Sequence, residues 1–196
     1  MSSGPRFGRA QALPVYDELA DALRAAGAVE GIMFAGSLRR GKAEVGDVEV
    51  LFIPRVVSMA DPMDLFGTQI PQNKAEVLIA EWLRLGVLRK REGEGGTTSW
   101  GSQIKLAVHV ASGVPVDLFS ATRENWFNLM VCRTGPADLN AQIATLAKER
   151  GLTWGINRAG FYRDDGTLHK LVRSERDVFD TVGLPYQDPI QRRAVR

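Results

Sequence analysis

The chain has 196 residues, which suits one domain or a domain with a small appended subdomain. A hydrophobic content of 44% and a charged content of 24% are ordinary for a globular protein, and a net charge of +2 identifies no partner. The single cysteine, Cys132, excludes an internal disulfide or multi-cysteine zinc site and favours an intracellular location, and no apolar run predicts a signal peptide or membrane span.

The first part of the chain predicts a helix and then several short strands. Val15, Leu19 and Leu23 lie four residues apart, which favours an amphipathic helix over 14–26. A second helix is expected over 73–85. Turn-forming residues predict an irregular loop at 58–71 and a mobile loop at 92–99. Apolar runs predict strands at 31–35, 48–53 and 87–91, and a hairpin of 103–110 with 114–119.

The pattern changes after Ser120 and becomes richer in helix. Helices are predicted at 123–132 and 136–150, and a hairpin at 154–168 with Asp165-Gly166 in its turn. Ser174 and Asp177 form a capping box for a last helix that ends at Gly183. We therefore predict an α+β fold with a sheet-rich domain over 1–121 and a helix-rich subdomain over 122–196.

Two carboxylates lie at the start of the predicted strand 48–53. Asp47 and Glu49 are two residues apart, so their side chains point to the same face of the sheet. Each disfavours ionisation of the other, and a cation between them would remove that repulsion. Hard oxygen ligands of this kind suit Mg²⁺. The alternative is that one side chain only reaches solvent at the end of a strand.

The loop before these carboxylates carries residues suited to phosphate. Gly36 and Gly46 permit close backbone approach, and Ser37 offers a hydroxyl. Arg39 and Arg40 offer guanidinium groups that match phosphate oxygens. A phosphate-binding loop beside a metal site is what a nucleoside triphosphate needs. The alternative, a basic surface turn, does not explain why these residues are concentrated between two buried strands.

A third carboxylate, Asp117, lies in the apolar strand 114–119. A lone charge there is costly unless it is paired or bound to metal. If this strand adjoins that of Asp47, three carboxylates converge, and two metal ions could activate a hydroxyl and stabilise a leaving pyrophosphate. The alternative is a salt bridge to an arginine, and we favour the metal.

These motifs recur in the same order in one enzyme family. The first are Gly36-Ser37-x-Arg39-Arg40-x-Lys42, Gly46-Asp47 and Val116-Asp117-Leu118. They resemble the palm of family X DNA polymerases, the polymerase-beta-like nucleotidyltransferases. Later motifs, which extend to about residue 193, resemble the thumb of the same family: Arg133-Thr134-Gly135-Pro136 with Asn140, Lys148-x-Arg150-Gly151-Leu152, Gly160-Phe161-Tyr162, Ser174-Glu175-x-Asp177-Val178-Phe179 and Leu184-Pro185-Tyr186-x-x-Pro189.

The resemblance implies a fold and a set of residue roles. Residues 1–121 would form a nucleotidyltransferase palm, a mixed β-sheet with helices on one face, and 122–196 a small α/β thumb. Asp47, Glu49 and Asp117 would hold two Mg²⁺ ions, with Mn²⁺ as an alternative, and Asp117 would assist deprotonation of a primer 3′-hydroxyl. The residues implied to bind the nucleotide, with Gly135 near the sugar and Asn140 at the base edge, are Gly36, Ser37, Arg40, Lys42, Gly46, Gly135 and Asn140.

The implied activity is addition of nucleotides to a DNA 3′-hydroxyl with release of pyrophosphate, in repair or gap filling. The implied partners are a nucleoside triphosphate and primer/template or gapped DNA, and we expect a monomer without a membrane partner. Because the similarity begins near residue 31, no lyase domain or helix-hairpin-helix module is expected. The chain resembles the minimal palm-plus-thumb form of some viral enzymes and small phage-like relatives.

Three departures from the family pattern affect the expected chemistry. Glu49 stands where the family usually has Asp, which predicts slower activity or a preference for Mn²⁺. Cys132 and Arg133 replace bulky residues that help to exclude ribonucleotides. Pro115 stands where an arginine often precedes the third carboxylate. Lys105 or His109 is a candidate to supply that charge, unless both simply face solvent.

Two other functions remain compatible with the sequence. The same palm serves enzymes that transfer a nucleotide to a small molecule, a protein or RNA, and a fold alone does not choose among them. Alternatively, Glu49 weakens the site and the chain is a nucleotide- or DNA-binding module with little activity.

Overall fold

The structure is a computed structural model that describes residues 4–60, 68–92 and 96–195 and has a mixed α+β fold. Its helices are α1 Arg9–Ala25, α2 Gly36–Arg39, α3 Lys74–Arg84, α4 Trp126–Thr134, α5 Ala137–Glu149 and α6 Glu175–Thr181. Its strands are β1 Phe7–Gly8, β2 Val29–Phe34, β3 Glu44–Val45, β4 Val48–Pro54, β5 Val56–Ala60, β6 Gln69–Asn73, β7 Leu88–Lys90, β8 Ile104–His109, β9 Pro115–Ser120, β10 Leu152–Trp154, β11 Gly160–Arg163 and β12 Leu168–Leu171. Among the residues so described, no helix combines the length and apolar character needed to cross a bilayer.

A five-stranded mixed sheet in the order β2-β4-β9-β8-β7 organises the first part of the chain. Strands β4 and β9 are parallel, whereas the other neighbouring pairs are antiparallel. The central register places Glu49 opposite Asp117 and Asp117 opposite Leu106. The strand that carries Glu49, with Asp47 just before its first residue, therefore adjoins the strand that carries Asp117, as the sequence analysis required for convergence.

The two faces of this sheet are covered by different helices. Val48 and Val50 of β4 and Val116 of β9 pack with the apolar sides of α1 and α3 in the largest core. On the opposite face, Leu51 and Phe119 pack against α4. The helices are therefore not confined to one face, because α4 covers one end of the second face. The same face also carries Glu49 and Asp117, whose side chains are partly buried.

The predicted irregular loop at 58–71 is partly wrong. Its ends belong to β5 and β6, which pair in an antiparallel ribbon in which Ser58 lies opposite Pro71. Pro71 is compatible with this ribbon because an outer strand tolerates a residue without an N–H donor. Residues 61–67 of the predicted loop lie outside the described ranges, as do 93–95 of the predicted mobile loop at 92–99.

The segment after residue 121 has a second core and its own small sheet. Strands β10, β11 and β12 form an antiparallel meander, so the predicted hairpin is its β11–β12 half, with Asp165 and Gly166 in the turn. Helices α5 and α6 pack on it through Ile143 and Phe179. Ser174 caps α6 by accepting a hydrogen bond from the backbone N–H of Asp177, as the sequence predicted.

Candidate active site

Three partly buried carboxylates lie on the second face of the sheet, the face against which α4 packs. Glu49 and Asp117 lie opposite each other on parallel strands, and Asp47 precedes Glu49 by two residues on the same face. Burial raises the pKa of Glu49, and the charges of Asp47 and Asp117 raise it further. The three residues predicted from the sequence are thus neighbours in the fold.

Burial and mutual repulsion disfavour the ionised forms of these carboxylates. Burial, aided by the charges of Asp47 and Asp117, raises the pKa of Glu49 to about 8. Burial also raises the pKa of Asp117 to about 6, although the charge of Arg91 opposes this shift. The pKa of Asp47 is raised for the same reason, with Arg91 and Arg6 working against burial. Added positive charge at this site would favour all three ionised forms.

Asp117 forms an ion pair with Arg91, whose side chain the sequence analysis did not consider. The Nη2 atom of Arg91 lies 2.8 Å from Oδ1 of Asp117, and both side chains are mostly buried. Within the described residues Oδ1 is buried without a well-aligned hydrogen bond, and the charge of Arg91 is its larger contribution to this contact. The salt bridge weighed as an alternative to metal is therefore present.

Lys105 and His109 do not supply this charge, and they do not face solvent. They lie on the helix-covered face because Lys105 pairs with Leu118, one residue beyond Asp117. Lys105 is 4% exposed and its Nζ donates to Glu76 on α3 at 2.5 Å. His109 is 5% exposed, its Nδ1 lies 2.8 Å from the Ser112 hydroxyl, and its other ring nitrogen faces α1.

The carboxylate oxygens are ligands of the type that a hard cation prefers, but their positions do not form a closed binding site. Throughout the described ranges, no three His, Cys, Asp or Glu side chains are gathered closely enough to hold an ion. Asp117 is turned to Arg91, and the side chain of Glu49 lies against Gly36. Oxygen donors on one sheet face match what Mg²⁺ requires, provided that these side chains change rotamer on binding.

The side chain of Glu49 occupies the space that a side chain at position 36 would need, so this position requires glycine. A Cβ atom at Gly36 would lie 2.2 Å from Oε1 of Glu49, and the residue has a φ of +59°, which side chains rarely adopt. The sequence analysis expected Gly36 to admit a ligand. The structure shows that it admits the second carboxylate of the site.

Arg39 belongs to an interface and not to the open phosphate-binding surface. It lies in the single turn of α2 and donates to both carboxylate oxygens of Glu175 on α6, at 2.7 Å each. It also donates to the hydroxyl of Thr134 at 2.8 Å. The expectation that Arg39 offers its guanidinium to phosphate is therefore wrong, because these three bonds occupy it.

Arg40 and Gly135 meet next to the carboxylates. Arg40 Nη1 donates to the carbonyl oxygen of Thr134, and a Cβ at Gly135 would lie 3.3 Å from that same nitrogen. The peptide between Gly135 and Pro136 is cis. Burial lowers the pKa of Arg40 and the charge of Glu49 opposes this, so the guanidinium lies within electrostatic reach of the site. The structure thus brings Arg40 and Gly135 together with the carboxylates.

Of the three other loop residues implied to bind the nucleotide, Lys42 alone borders an open cleft at the C-terminal segment. Ser37 is half-buried in α2, and its carbonyl accepts the backbone N–H of Lys42. Lys42 is exposed and lines a cleft of about 1160 Å³ with the C-terminal residues Gln187 and Arg193. Gly46 is half-buried, and a Cβ there would lie 3.6 Å from Nη1 of Arg6.

Asn140 lies on α5, and its side chain is only partly engaged. Its amide nitrogen donates to the carbonyl oxygen of Cys132 at 2.7 Å. Its Oδ1 is buried and has no hydrogen-bond partner among the residues that the structure describes. Arg133, next in sequence to Cys132, stacks its guanidinium 3.9 Å above the ring of Phe119 and lies within electrostatic reach of Glu49.

Two arginines were missed by the sequence analysis. Arg6 reaches Asp47 because β1 pairs with β3, two residues before Asp47. Arg91 reaches Asp117 from just beyond the edge strand β7. Both were hidden because the pairing of remote strands, which brings them to the site, cannot be deduced from local patterns.

Comparison with known proteins identifies the segment after the sheet. Residues 129–193, about a third of the chain, match the family model of the DNA polymerase beta thumb. No curated protein matches the chain. This segment is therefore similar to the thumb of DNA polymerase beta.

Proposed function

We propose that this protein is a two-metal nucleotidyltransferase and, more specifically, a minimal family X-like DNA polymerase that extends a DNA 3′-hydroxyl in repair or gap filling. One observation carries the proposal. Asp47, Glu49 and Asp117 share one face of neighbouring parallel strands in a chain that continues into a polymerase beta thumb. The first part of the chain, residues 1–121, would be the palm, and residues 122–196 the thumb.

The chemistry of the donor set supports Mg²⁺ as the cofactor, with Mn²⁺ as an alternative. Asp47, Glu49 and Asp117 would hold two ions, which when bound would activate the attacking hydroxyl and neutralise charge on the departing pyrophosphate. The pKa values of all three carboxylates are raised, and a bound cation would stabilise their ionised forms. Asp117, whose pKa is raised to about 6, is suited to accept the 3′-hydroxyl proton near neutral pH.

The remaining site residues would position the substrates. The triphosphate would lie against Gly36, Ser37 and Gly46, with Arg40 and Lys42 supplying positive charge. Phosphoryl transfer depends mainly on positioning and charge neutralisation, which a loop of this composition supplies.

The thumb side of the site would contact the sugar and base. Gly135, which contacts Arg40, would pack near the sugar of the incoming nucleotide. Asn140 would present its unpartnered Oδ1 and its amide to the base edge. An amide that both donates and accepts suits contacts in the minor groove.

Primer extension on gapped and blunt DNA, with Mg²⁺ or Mn²⁺, tests the proposal. Gap filling that is lost in Asp117→Ala is the expected result. The matched control is Asp17→Ala, an exposed carboxylate on α1 at the opposite face of the sheet. Extension that survives Asp117→Ala would refute the metal assignment.

The same assay separates the other candidate functions. Nucleotide consumption without DNA extension would indicate transfer to a small molecule, a protein or RNA. Nucleotide or DNA binding without turnover would indicate a binding module whose site is weakened by Glu49. Either outcome would replace the polymerase proposal.

A further inference from the structure

Arg91 lies in line with the carboxylates across four strands. Its backbone N–H donates to the carbonyl oxygen of Leu106 at 2.9 Å, which continues the β7–β8 register by one residue. Leu106 pairs with Asp117, and Asp117 pairs with Glu49. Residues directly opposite each other on neighbouring strands point to the same face, so Arg91 belongs to the face of the candidate metal ligands.

The long side chain of Arg91 passes over Leu106 to reach Asp117. Its Nη2 lies 2.8 Å from Oδ1, with side-chain exposures of 28% for the arginine and 13% for the aspartate. A guanidinium keeps its proton at every pH that a protein tolerates. The ion pair between Arg91 and Asp117 can therefore be broken only by movement of a side chain and not by deprotonation of the arginine.

We propose that Arg91 is a positioning residue that competes with the metal for Asp117. In the metal-free protein Arg91 neutralises the Asp117 carboxylate and holds it beside Leu106 on the face of the sheet. The ion pair must open before Asp117 can bind an ion. The inference rests on the proposed metal-dependent function. It predicts that the ion pair lowers the apparent metal affinity, since only the fraction of molecules with a free Asp117 binds.

Neighbouring cations do not share this role. Lys105 and His109 are engaged on the opposite face of the sheet. Arg89 lies on β7 two residues before Arg91 and on the same face, because it pairs with Val108. Within the described part of the chain Arg89 has no ion pair with a carboxylate of the site, so it is a matched control for Arg91.

Titration with Mn²⁺, with the free ion followed by electron paramagnetic resonance, tests the competition. Arg91→Met should bind Mn²⁺ about threefold to tenfold more tightly than the unmodified protein. Arg89→Met, which removes a charge of the same sign from the same strand, should stay within about twofold, since no carboxylate is released. Unchanged or weaker binding by Arg91→Met overturns the inference.

An Asp117→Asn titration separates this inference from the proposed function. If Mn²⁺ binding by the unmodified protein does not depend on Asp117, the metal site itself is refuted, and the competition with it. If binding depends on Asp117 but Arg91→Met matches the unmodified protein, the competition alone is refuted. Circular dichroism melting of each variant verifies folding.

A nuclear magnetic resonance measurement follows Arg91 directly in the unmodified protein, and Arg91→Met serves only to assign its signal. The Nε–Hε resonance of Arg91 is assigned by its loss in Arg91→Met. Addition of Mg²⁺ should shift this resonance and accelerate its exchange with solvent as the ion pair opens. A resonance that stays unchanged to saturating Mg²⁺ overturns the proposed release.

Discussion

The guanidinium of Arg39 on α2 donates two hydrogen bonds of 2.7 Å to the two carboxylate oxygens of Glu175 on α6. Arg192, whose side chain is fully buried, adds a third at 2.8 Å. Burial works against ionisation of Glu175, but the bond from Arg39 and the charge of Arg192 outweigh it, so its pKa is lowered. One carboxylate on α6 thus joins α2 to the C-terminal segment that carries Arg192.

Replacement of Glu175 should destabilise the protein strongly. Glu175→Gln keeps the shape but leaves two buried guanidinium groups without their counter-ion, which costs about 3–5 kcal/mol when one partner of a buried ion network is removed. Urea denaturation measures the loss. Asp180→Asn, an exposed carboxylate on the same helix, is the control and should stay within about 0.5 kcal/mol of the unmodified protein. Equal effects of the two changes would refute a stabilising role for the network.

The raised pKa of Glu49 predicts an unusual dependence of stability on pH. The folded protein keeps the Glu49 proton up to about pH 8, whereas the unfolded chain loses it near the ordinary value of 4.5. The associated stabilisation is complete below pH 4.5 and declines as pH rises, until it is lost above the folded pKa. Metal-free protein should therefore lose up to about 1.4 kcal/mol per pH unit between about pH 6 and 7.5.

Glu49→Gln isolates this effect because its amide does not titrate. Urea denaturation in the presence of a chelator should show a smaller decline between about pH 6 and 7.5 in the variant than in the unmodified protein. Addition of Mg²⁺ should restore most stability at the high end of this range, where Glu49 ionises at least cost. The prediction fails if both proteins give the same slope.

Gly36→Ala should alter metal binding through Glu49, in addition to its effect on folding. The new Cβ would lie 2.2 Å from Oε1 and 2.8 Å from Cδ of Glu49, so that side chain must leave its position. Gly113→Ala is a matched control, because Gly113 also has a positive φ but has open space around its Cβ position. Both variants should lose about 1–2 kcal/mol of stability through backbone strain. Only Gly36→Ala should change the affinity for Mn²⁺, because it alone displaces Glu49, and equal binding by both variants would contradict the contact.

Local patterns predicted the strands of the site but not the partners of their charges. The period of two placed Asp47 and Glu49 on one face, and apolar alternation found the strand of Asp117. The partner of Asp117 comes from beyond an edge strand, Arg91, and the partner of Arg39 lies 136 residues away. Such pairings depend on strand order and helix docking, which involve residues remote in sequence.

The face of the sheet to which a side chain points was harder to predict than the strand itself, because helices remote in sequence decide which face is buried. Lys105 and Ala107 alternate with Ile104 and Leu106, and polarity alone would turn the lysine to solvent. The structure buries Lys105 because α3 covers that face and supplies Glu76 as its partner. A charged residue can thus occupy the core side of a strand when a helix remote in sequence neutralises it.

Cys132 and Arg133 lie in the last turn of α4, just before Gly135, and neither places a bulky side chain beside the proposed position of the sugar. Cys132 is half-buried, and its carbonyl oxygen is engaged by Asn140 at 2.7 Å. Arg133 is directed to the ring of Phe119, within electrostatic reach of the carboxylates. We therefore expect little steric discrimination against a ribose 2′-hydroxyl.

Single-nucleotide insertion with matched dNTP and rNTP tests this expectation. The unmodified protein should prefer dNTP by less than about 100-fold in kcat/KM, since only weak contacts distinguish one added hydroxyl. Cys132→Tyr should raise the preference at least about tenfold by filling the space beside the sugar. Cys132→Ser, which keeps the size of the side chain, should leave it unchanged, so a gain in both variants would point to altered turn geometry rather than bulk. Strong dNTP selectivity in the unmodified protein would show that a residue other than Cys132 or Arg133 excludes the ribose.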